Sequence, residues 1–573
     1  MDKKTVLAMV LCMIVFLGGF YIQQRVFLRG VPEEAQELSP EEPVFEPPAL
    51  GAPEAPEGPP ETPAEVSPVE EETIPFEEVF AETDVFLATL SNRGGVITSL
   101  KLKDHLDRGE PLEIIERGGP DQAAFNLLLG GADAPPLTEP FHVRKSDNGR
   151  EIEFWRTRRG NDGIPYTLRK IYTFIPGEYL LELKIIIENS RSAPPAINYQ
   201  NFAYTLEFGP QIGPPYVRSN RYDYRYYYNF NEGKAQRIRI KDDVAEVGAR
   251  SRWAAVAGKY FTVIGIPDAS NYKIGFNQHY REGLDLSSVM TFSRPLIANT
   301  SRSEDVFRFY LGPKTTGALS IYNKAEDNAL GLSSMEMEGV VERNVLIGWL
   351  EWLLQMLLIL AHALVRNWGV AIIIVTLIVK VALYPLTRKS TQATAKMQAL
   401  NPQMEELKRK YGNNMEKLNQ EMTALYKKEG VSPLSGCLPM LLQFPIIIAM
   451  YGLVSKYFDL RGAVFIPGWI TDLSTAEAVY TFSGFRIPLL GWDAIRLLPI
   501  IFVLSQIFYG KLMQTGGTQA NSQMKMLNMM MPVMFFFILY NAPSGLLVYW
   551  ISQNLFTIIQ QIWTMRMQRR KQE

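Results

Sequence analysis

Cysteine is almost absent from this chain of 573 residues, which contains only Cys12 and Cys437, each within an apolar run. Two cysteines in such runs provide neither a disulfide framework nor the spacing of a metal site. The sequence also lacks the GxxxxGK(S/T) loop of nucleotide-binding proteins, the GxSxG elbow of hydrolases and the HExxH pair of metalloproteases. We therefore expect no cofactor, and we do not expect the chain to be an enzyme.

Charge is absent from the first apolar segment, residues 5–22. These eighteen residues are long enough for a transmembrane helix. A cleaved signal peptide is the alternative, but its apolar core spans only about 7 to 15 residues, and no small-x-small cleavage site precedes Gln23, Gln24 and Arg25. Residues 1–30 are therefore predicted to be an uncleaved anchor, and Lys3 and Lys4 favour a cytoplasmic N-terminus.

Positive charge is absent from the next segment. Residues 31–75 contain twelve prolines, thirteen glutamates and no lysine or arginine. Such a segment buries too little apolar surface to fold, and its prolines and like charges keep it extended. We predict a disordered acidic linker here.

From about residue 76 the chain alternates short β-rich runs with glycine, proline, asparagine and aspartate. The clearest runs are residues 84–90, 151–157, 166–175, 179–188, 261–266 and 306–311. Many short strands with no helical period between them predict an all-β sandwich or barrel, and we assign residues 76–335 to this domain. Its tyrosine-rich run, residues 216–230, is either a platform for a sugar or peptide or ordinary strand packing.

A positive charge, Lys380, interrupts the apolar segment 367–386. It lies roughly 12 Å along the helix from the basic boundary at Arg388, and an ammonium at the centre of a span costs about 2.5 to 3.5 kcal/mol. The side chain either extends toward the helix end or faces water. Thr376, four residues earlier, lies on the same helix face. This polar stripe on an apolar helix favours a water-filled cavity.

Residues 345–365 are long enough to cross a membrane, but Glu351, Gln355 and His362 fall on one helix face. This pattern indicates a helix that lies in the plane of the membrane interface. Charge supports the same arrangement, because residues 387–432 contain nine Lys or Arg against five Glu and are therefore expected in the cytoplasm.

The basic loop itself has a helical pattern. Methionine, leucine and tyrosine repeat at steps of three and four within residues 388–430, which predicts a cytoplasmic helical hairpin. Pro402 predicts a restart of the first arm near Asn401. Asn413 and Glu416 form a capping-box pattern for the second arm.

Four further apolar segments follow, at residues 434–454, 495–512, 527–540 and 546–563. With the anchor and the segment that contains Lys380 they make six predicted spans, which returns the basic C-terminus to the cytoplasm. Most of the amide and hydroxyl side chains inside the last four spans are expected to form interhelical hydrogen bonds. They include Gln443, Ser505, Gln553, Asn554 and Thr557.

Three strings in this region carry a specific resemblance to a known family. They are IIIVTLIVKVALYPLTRK, ALYKKEGVSPLSGCLPMLLQFPI and PSGLLVYWISQNLFTIIQQ. These strings closely resemble the YidC membrane protein insertases, which are relatives of the mitochondrial Oxa and chloroplast Alb insertases. The resemblance covers the chain from about residue 345, and the earlier segments look like the form found in bacteria with an outer membrane.

The resemblance implies a fold class. It is a polytopic α-helical membrane protein with six transmembrane helices, five of which form the insertase core within residues 336–573. A large all-β periplasmic domain, a β-supersandwich, precedes the core. The implied location is the bacterial inner membrane, with both termini cytoplasmic and the large domain periplasmic.

The resemblance also implies a hydrophilic groove that is open to the cytoplasm and to lipid and closed toward the periplasm. Lys380 matches the family's central cation, which is typically arginine, so this chain keeps the charge but loses the bidentate fork. Attraction of acidic substrate segments survives that change. The other predicted groove residues are Thr376, Trp550, Tyr549, Gln443 and Gln553.

The implied function is insertion and folding of nascent inner-membrane proteins, alone or with the Sec translocon. The implied partners are these nascent proteins, the lipid bilayer and the translocon, with the ribosome and the signal recognition particle receptor as candidates for the cytoplasmic hairpin and the basic C-terminal tail. No specific nucleic acid site is expected.

Two alternatives come from other functional classes. A solute transporter or channel also uses an intramembrane cation, but the sequence shows neither a repeat between its halves nor paired spans broken by glycine or proline. A periplasmic glycan-acting enzyme needs two carboxylates across a cleft, which a sequence cannot reveal.

Overall fold

The computed structural model describes residues 74–570, apart from residues 108, 118–121, 161–162, 190–200, 216–223, 241–243, 248–250, 269–271, 278–288, 297–300, 343–346, 413, 431–437, 483–491 and 515–521. The predicted anchor and nearly all of the predicted acidic linker lie outside the described residues.

Between residues 78 and 313 the described chain forms strands. They are β1 (Glu78–Glu82), β2 (Phe86–Ser91), β3 (Val96–Asp107), β4 (Glu110–Glu113), β5 (Ile115–Glu116), β6 (Ala124–Leu128), β7 (His142–Lys145), β8 (Glu151–Arg159), β9 (Pro165–Phe174), β10 (Leu180–Asn189), β11 (Phe202–Phe208), β12 (Gln211–Ile212), β13 (Tyr226–Asn231), β14 (Lys234–Ile238), β15 (Val244–Val247), β16 (Trp253–Ala257), β17 (Phe261–Pro267), β18 (Lys273–Asn277), β19 (Val289–Pro295) and β20 (Arg302–Pro313). All six runs that the sequence analysis singled out are confirmed as strands.

All of these strands except β5 and β12, which pair with each other, form two large antiparallel sheets. One has the order β1-β2-β3-β6-β11-β19-β18-β15 with β4 beside β3, and the other has the order β14-β13-β16-β17-β20-β10-β9-β8-β7. Their inner faces share one buried cluster, which includes Phe86 and Leu206 from the first sheet and Leu168 and Phe309 from the second. The alternation of buried and partly exposed residues along β9 is typical of a strand with one face in a core. The predicted all-β sandwich is therefore confirmed.

The tyrosine-rich run is only partly described. Its end forms β13, where the ring of Phe230 stacks on Trp253 at 5.4 Å, and Tyr227 and Tyr228 are buried. This part of the run packs as a strand, and the sugar or peptide platform stays a prediction.

One lysine lies in the sandwich interior. Lys170 is fully buried, and its Nζ donates hydrogen bonds to the carbonyl oxygens of Gly94 at 3.0 Å and Phe125 at 2.7 Å. Phe125 has a φ of +69°, in the left-handed region that non-glycine residues rarely adopt, so the amine bonds the backbone at an irregular point of β6. Burial lowers the pKa of Lys170 to about 7.

After the sandwich the chain is mainly helical. The helices are α1 (Thr316–Ser320), α2 (Gly348–Val365), α3 (Trp368–Ala399), α4 (Asn401–Tyr411), α5 (Met415–Lys428), α6 (Leu438–Lys456), α7 (Leu498–Gln514), α8 (Ser522–Leu539) and α9 (Ser544–Arg570), with 3-10 turns at Ile321–Asn323, Ala325–Asp327, Met337–Val340 and Phe458–Leu460 and two short strands, β21 (Tyr480–Thr481) and β22 (Ala494–Ile495). Each of the five predicted spans after residue 366 overlaps one of these helices, although α3 and α9 continue well beyond the predicted ends at residues 386 and 563.

The predicted hairpin differs from the structure at two points. Helix α3 continues through Pro385 to Ala399, so the first arm is an extension of the Lys380 helix as far as the restart at Asn401, which is confirmed. The predicted cap at Asn413 is wrong by one residue. Asn414 is the cap, because its extended backbone lets its side chain accept the Lys417 N–H at 3.0 Å.

Two described helical segments, Gly348–Val365 and Trp368–Pro385, are long and apolar enough to cross a membrane. In α2 the inward residues Leu354 and Leu358 are buried, whereas Trp349 is 66% exposed. The prediction that α2 lies in the membrane interface stays a prediction, as does the count of six spans.

Helix α9 is the centre of the helical region. It packs against α3, α6 and α7, while α2 packs against α3 and α6, and α8 against α7. Their shared core includes Val375 of α3, Leu453 of α6, Phe502 of α7 and Leu547 of α9. This arrangement gives α3, which carries Lys380, a long contact with α9.

An aromatic side chain just after α6 enters the sandwich. The ring of Phe458 lies 5.6 Å from the ring of His105, 5.4 Å from that of Tyr260 and 5.0 Å from that of Phe261, each edge to face. Phe458 is thus half-buried against the core of the β domain.

The residues around Phe458 contact both parts of the chain. Arg461 forms an ion pair with Asp107 at the end of β3, at 3.3 Å. On the helical side, the ring of Tyr457 lies 5.6 Å from that of Trp368, and Leu460 is fully buried in the helical core. The segment therefore fastens the sandwich to the helices.

A carboxylate caps α7. Glu477 is buried and accepts hydrogen bonds from the N–H groups of Leu497 and Leu498 and from the indole N–H of Trp469 at 3.1 Å. Its negative charge lies at the positive end of the helix dipole, which stabilises the start of α7.

Candidate functional site

Lys380 is a half-buried residue of α3, and its side chain reaches α9. Its Nζ donates a hydrogen bond of 2.6 Å to the hydroxyl oxygen of Thr557 on α9. The Thr557 hydroxyl in turn donates to the carbonyl oxygen of Gln553, one helical turn earlier, at 2.7 Å. The ammonium is therefore held by a neutral acceptor on the neighbouring helix.

No carboxylate neutralises this charge within the described ranges. Lys380 makes neither an ion pair nor any bond there other than the one to Thr557. A charge without a counter-ion in an apolar helix pair is costly to retain. Its positive potential is also uncancelled and remains available to an anion.

Thr376 lies one turn before Lys380 on α3. It is fully buried, and its hydroxyl donates to the carbonyl oxygen of Ile372 at 2.6 Å. Its hydrogen bond is thus made within its own helix, as is common for threonine in apolar helices. The predicted shared face with Lys380 agrees with this placement, since both residues point toward neighbouring helices.

The three predicted groove residues on α9 are also buried. Tyr549 is fully buried, while Trp550 and Gln553 are 9% and 6% exposed. The ring of Trp550 packs 5.0 Å from that of Phe502 on α7 and 5.3 Å from that of Phe535 on α8. Trp550 therefore joins three helices, so that it contacts protein on several sides.

Two polar atoms in this region are buried without a hydrogen-bond partner among the described residues. They are the hydroxyl oxygen of Tyr549 and the Oε1 atom of Gln553. A buried polar atom without a partner costs about 1 to 3 kcal/mol, and such atoms are few in folded proteins. Both would gain from a polar ligand that entered between the helices.

Gln443 lies apart from this cluster. It is half-buried near the start of α6, and in the described part of the molecule it makes no hydrogen bond to any other predicted groove residue. The structure thus brings Lys380 to the polar face of α9, whereas Gln443 forms no hydrogen bond with the predicted groove residues on that face.

Thr557 was absent from the predicted groove set. The signal was present in its spacing, because Gln553 and Thr557 are four residues apart and share a face of α9. Ser505 and Asn554 were both expected to form interhelical hydrogen bonds, and they bond to each other: the Asn554 side-chain amide donates to the hydroxyl of Ser505 on α7 at 2.8 Å.

The described residues contain no group of three or more His, Cys, Asp or Glu that could hold a metal ion. An apolar cavity of about 330 Å³ lies between α7 and α9. Its lining residues are Ile501, Leu504, Ser505, Phe508, Ile551, Leu555 and Ile558. Neither Lys380 nor Thr557 lines this cavity, which offers little polar chemistry.

Two family models match the chain. The model described as 60Kd inner membrane protein matches residues 359–572, and the model described as YidC periplasmic domain matches residues 78–360. Together they span the sandwich and the helical region.

Known proteins resemble the chain over its whole length. The membrane protein insertase YidC of Treponema denticola is 39% identical over 586 residues, which cover 98% of this chain and 99% of the relative. The protein of the same name from Treponema pallidum is 35% identical over 616 residues, with 98% of each chain covered. A solved structure titled "Active YidC insertase crystal structure with the first transmembrane domain resolved" is 21% identical, covers 85% of this chain and 92% of its own, and has a TM-score of 0.34. Because the chain is 39% and 35% identical to the two Treponema insertases over 98% of its length, it belongs to the YidC family of membrane protein insertases.

Proposed function

We propose that the chain inserts nascent proteins into the bacterial inner membrane through a hydrophilic groove beside Lys380. Its curated relatives are named membrane protein insertases, which is not an enzymatic activity. The observation that supports the proposed groove is the Lys380 ammonium, which is half-buried in an apolar helix pair and bonded to the neutral hydroxyl of Thr557. In the groove it attracts acidic residues of the translocated segment.

The physical task is to lower the cost of moving a polar segment through hydrocarbon. A water-filled groove that reaches partway across the bilayer shortens the apolar distance. The apolar helix of the substrate then supplies the driving force, about 25 cal/mol for each Å² of apolar surface that it removes from water. No nucleotide is needed for that step.

The buried residues around Lys380 belong to the proposed path. Thr376, Tyr549, Trp550 and Gln553 contact a substrate only when α3 and α9 move apart from their neighbours, since each is at most 9% exposed. The unpartnered oxygens of Tyr549 and Gln553 support this role, because an entering polar chain satisfies them. Gln443 contributes from α6, nearer the cytoplasmic end.

The proposed topology has six membrane spans, two cytoplasmic termini and a periplasmic sandwich, with α2 in the membrane interface. Its support is the charge of the segment around α4 and α5, which is rich in lysine and arginine. The same basic surface and the C-terminal tail are proposed to contact the ribosome and the signal recognition particle receptor. Cooperation with the Sec translocon is part of the proposal.

Reconstitution tests the function directly. Proteoliposomes that contain only the purified full chain are expected to insert a small single-span protein without ATP, measured by protection of its tail from protease. Solute flux without insertion would instead indicate a transporter or channel, and sugar turnover would indicate a glycan-acting enzyme.

Charge reversal tests the role of Lys380. Lys380→Glu is expected to impair a substrate with an acidic tail more than the same substrate with a neutral tail, because attraction becomes repulsion. Lys511→Glu is the control, since Lys511 is an exposed lysine at the end of α7. Equal losses for both substrates would contradict attraction by charge.

Two further measurements test the groove. Photo-crosslinkers at Thr376 and Trp550 are expected to capture a stalled nascent chain. A cysteine in place of Lys380 is expected to react with a water-soluble reagent, and a site that does not react in the membrane would refute the groove.

Deletion of residues 31–75 or of much of the β domain is expected to leave insertion largely intact.

A further inference from the structure

Thr557 is oriented to accept a hydrogen bond from Lys380. A hydroxyl has one proton and two lone pairs, and the Thr557 proton is donated to the carbonyl oxygen of Gln553 at 2.7 Å. Only the lone pairs are then left for Lys380, whose Nζ lies 2.6 Å away. The α9 backbone thus aims the acceptor at the ammonium.

Three apolar neighbours of Lys380 on α3 offer no replacement for the Thr557 acceptor. Leu377, Ile378 and Val381 are apolar and 45%, 42% and 65% exposed. The hydroxyl of Thr376 is buried and bonded to its own helix. A lysine side chain has a long flexible stem, so without Thr557 the ammonium is free to extend toward the cytoplasmic end of α3.

We propose that Thr557 is a positioning residue that holds the Lys380 ammonium midway along the groove. The Lys380 ammonium has three N–H donors: one is bonded to Thr557, and two remain for a substrate carboxylate. The hydrogen bond to Thr557 replaces the fixed geometry that an arginine fork supplies. It keeps the positive charge at a defined depth in the groove. This inference rests on the proposed insertase function.

The first test needs no substrate. Full chain in nanodiscs is treated with a water-soluble amine-acylating reagent, and modification of Lys380 is measured by mass spectrometry. Thr557→Val keeps the shape of the side chain but removes the acceptor, so Lys380 is expected to react several-fold faster. Thr557→Ser keeps the acceptor and is expected to react like the original chain. Equal rates in the two variants overturn the inference.

The second test measures insertion in proteoliposomes of two substrates that differ only in an acidic or neutral tail. Thr557→Val is expected to lower the ratio of acidic to neutral insertion about tenfold, the scale of a hydrogen bond to a charged group. The neutral substrate serves as the control for folding and is expected to insert at the original rate. Thr557→Ser is expected to restore the ratio.

A double-mutant cycle separates this inference from the proposed function. Lys380→Gln alone lowers the ratio if the charge attracts substrate, and adding Thr557→Val is then expected to lower it no further. Additive losses, or equal losses for both tails in Thr557→Val, would mean that Thr557 only packs helices and would overturn the inference. An unchanged ratio in Lys380→Gln would refute the attraction itself.

Discussion

Replacing Phe458 with alanine tests whether the β domain is fastened to the membrane helices at this ring. Phe458 follows α6 by two residues, yet its edge contacts are with His105, Tyr260 and Phe261 of the sandwich. Tyr457 before it and Leu460 after it pack into the helical core. Loss of the ring removes contacts between the two parts while leaving each core nearly unchanged.

The expected magnitude follows from burial and ring contacts. Truncating a fully buried phenylalanine costs about 3 to 5 kcal/mol, and an aromatic pair contributes about 0.5 to 1.5 kcal/mol beyond area. Because Phe458 is half-buried, we expect a loss of about 2 to 3 kcal/mol in the contact between the parts. At about 1.4 kcal/mol for each factor of ten, the fraction of molecules with an open junction rises by roughly 30- to 150-fold.

Hydrogen–deuterium exchange of the full chain in nanodiscs measures this opening. Peptides that cover β3 and residues 457–462 are expected to exchange faster in Phe458→Ala, and Phe458→Leu is expected to retain most of the protection. Phe80→Ala is the matched control, because Phe80 is a phenylalanine of the same domain that is 62% exposed. Unchanged exchange in the junction peptides of Phe458→Ala would refute the reasoning.

Three further predictions concern stability. Because burial lowers the pKa of Lys170 to about 7 from 10.5, the unfolded state binds more protons between these values, and the sandwich should become more stable as pH rises through that window. Lys170→Met should abolish this gain in urea unfolding at pH 7 and 9, and the same pH dependence in both proteins would contradict it. Glu477→Gln should weaken the start of α7 by about 0.5 to 2 kcal/mol in thermal unfolding, whereas no loss would exclude a charge effect. Gly369→Ala should lower the melting temperature, because its Cβ would collide with the ring of Phe465, whereas Gly510→Ala meets no atom within 4 Å and should not.

Sequence patterns alone determined the local structure. Alternation of apolar and polar residues predicted strands such as β9, because one face of such a strand is buried and the other is not. Long apolar runs and steps of three and four predicted the helices, and Pro402 predicted the break between α3 and α4. The same kind of reasoning found Lys380, because a charge is conspicuous in an apolar run.

Tertiary structure decided which of these elements meet. The acceptor of Lys380 is 177 residues away in Thr557, and the place of Phe458 in the sandwich depends on strands more than 190 residues before it in the chain. The burial of Tyr549 likewise results from the packing of α9 among its neighbours. Periodicity records which face of an element is apolar, but it carries no information on which distant element covers that face, so contacts across the chain emerge only when the whole core is packed.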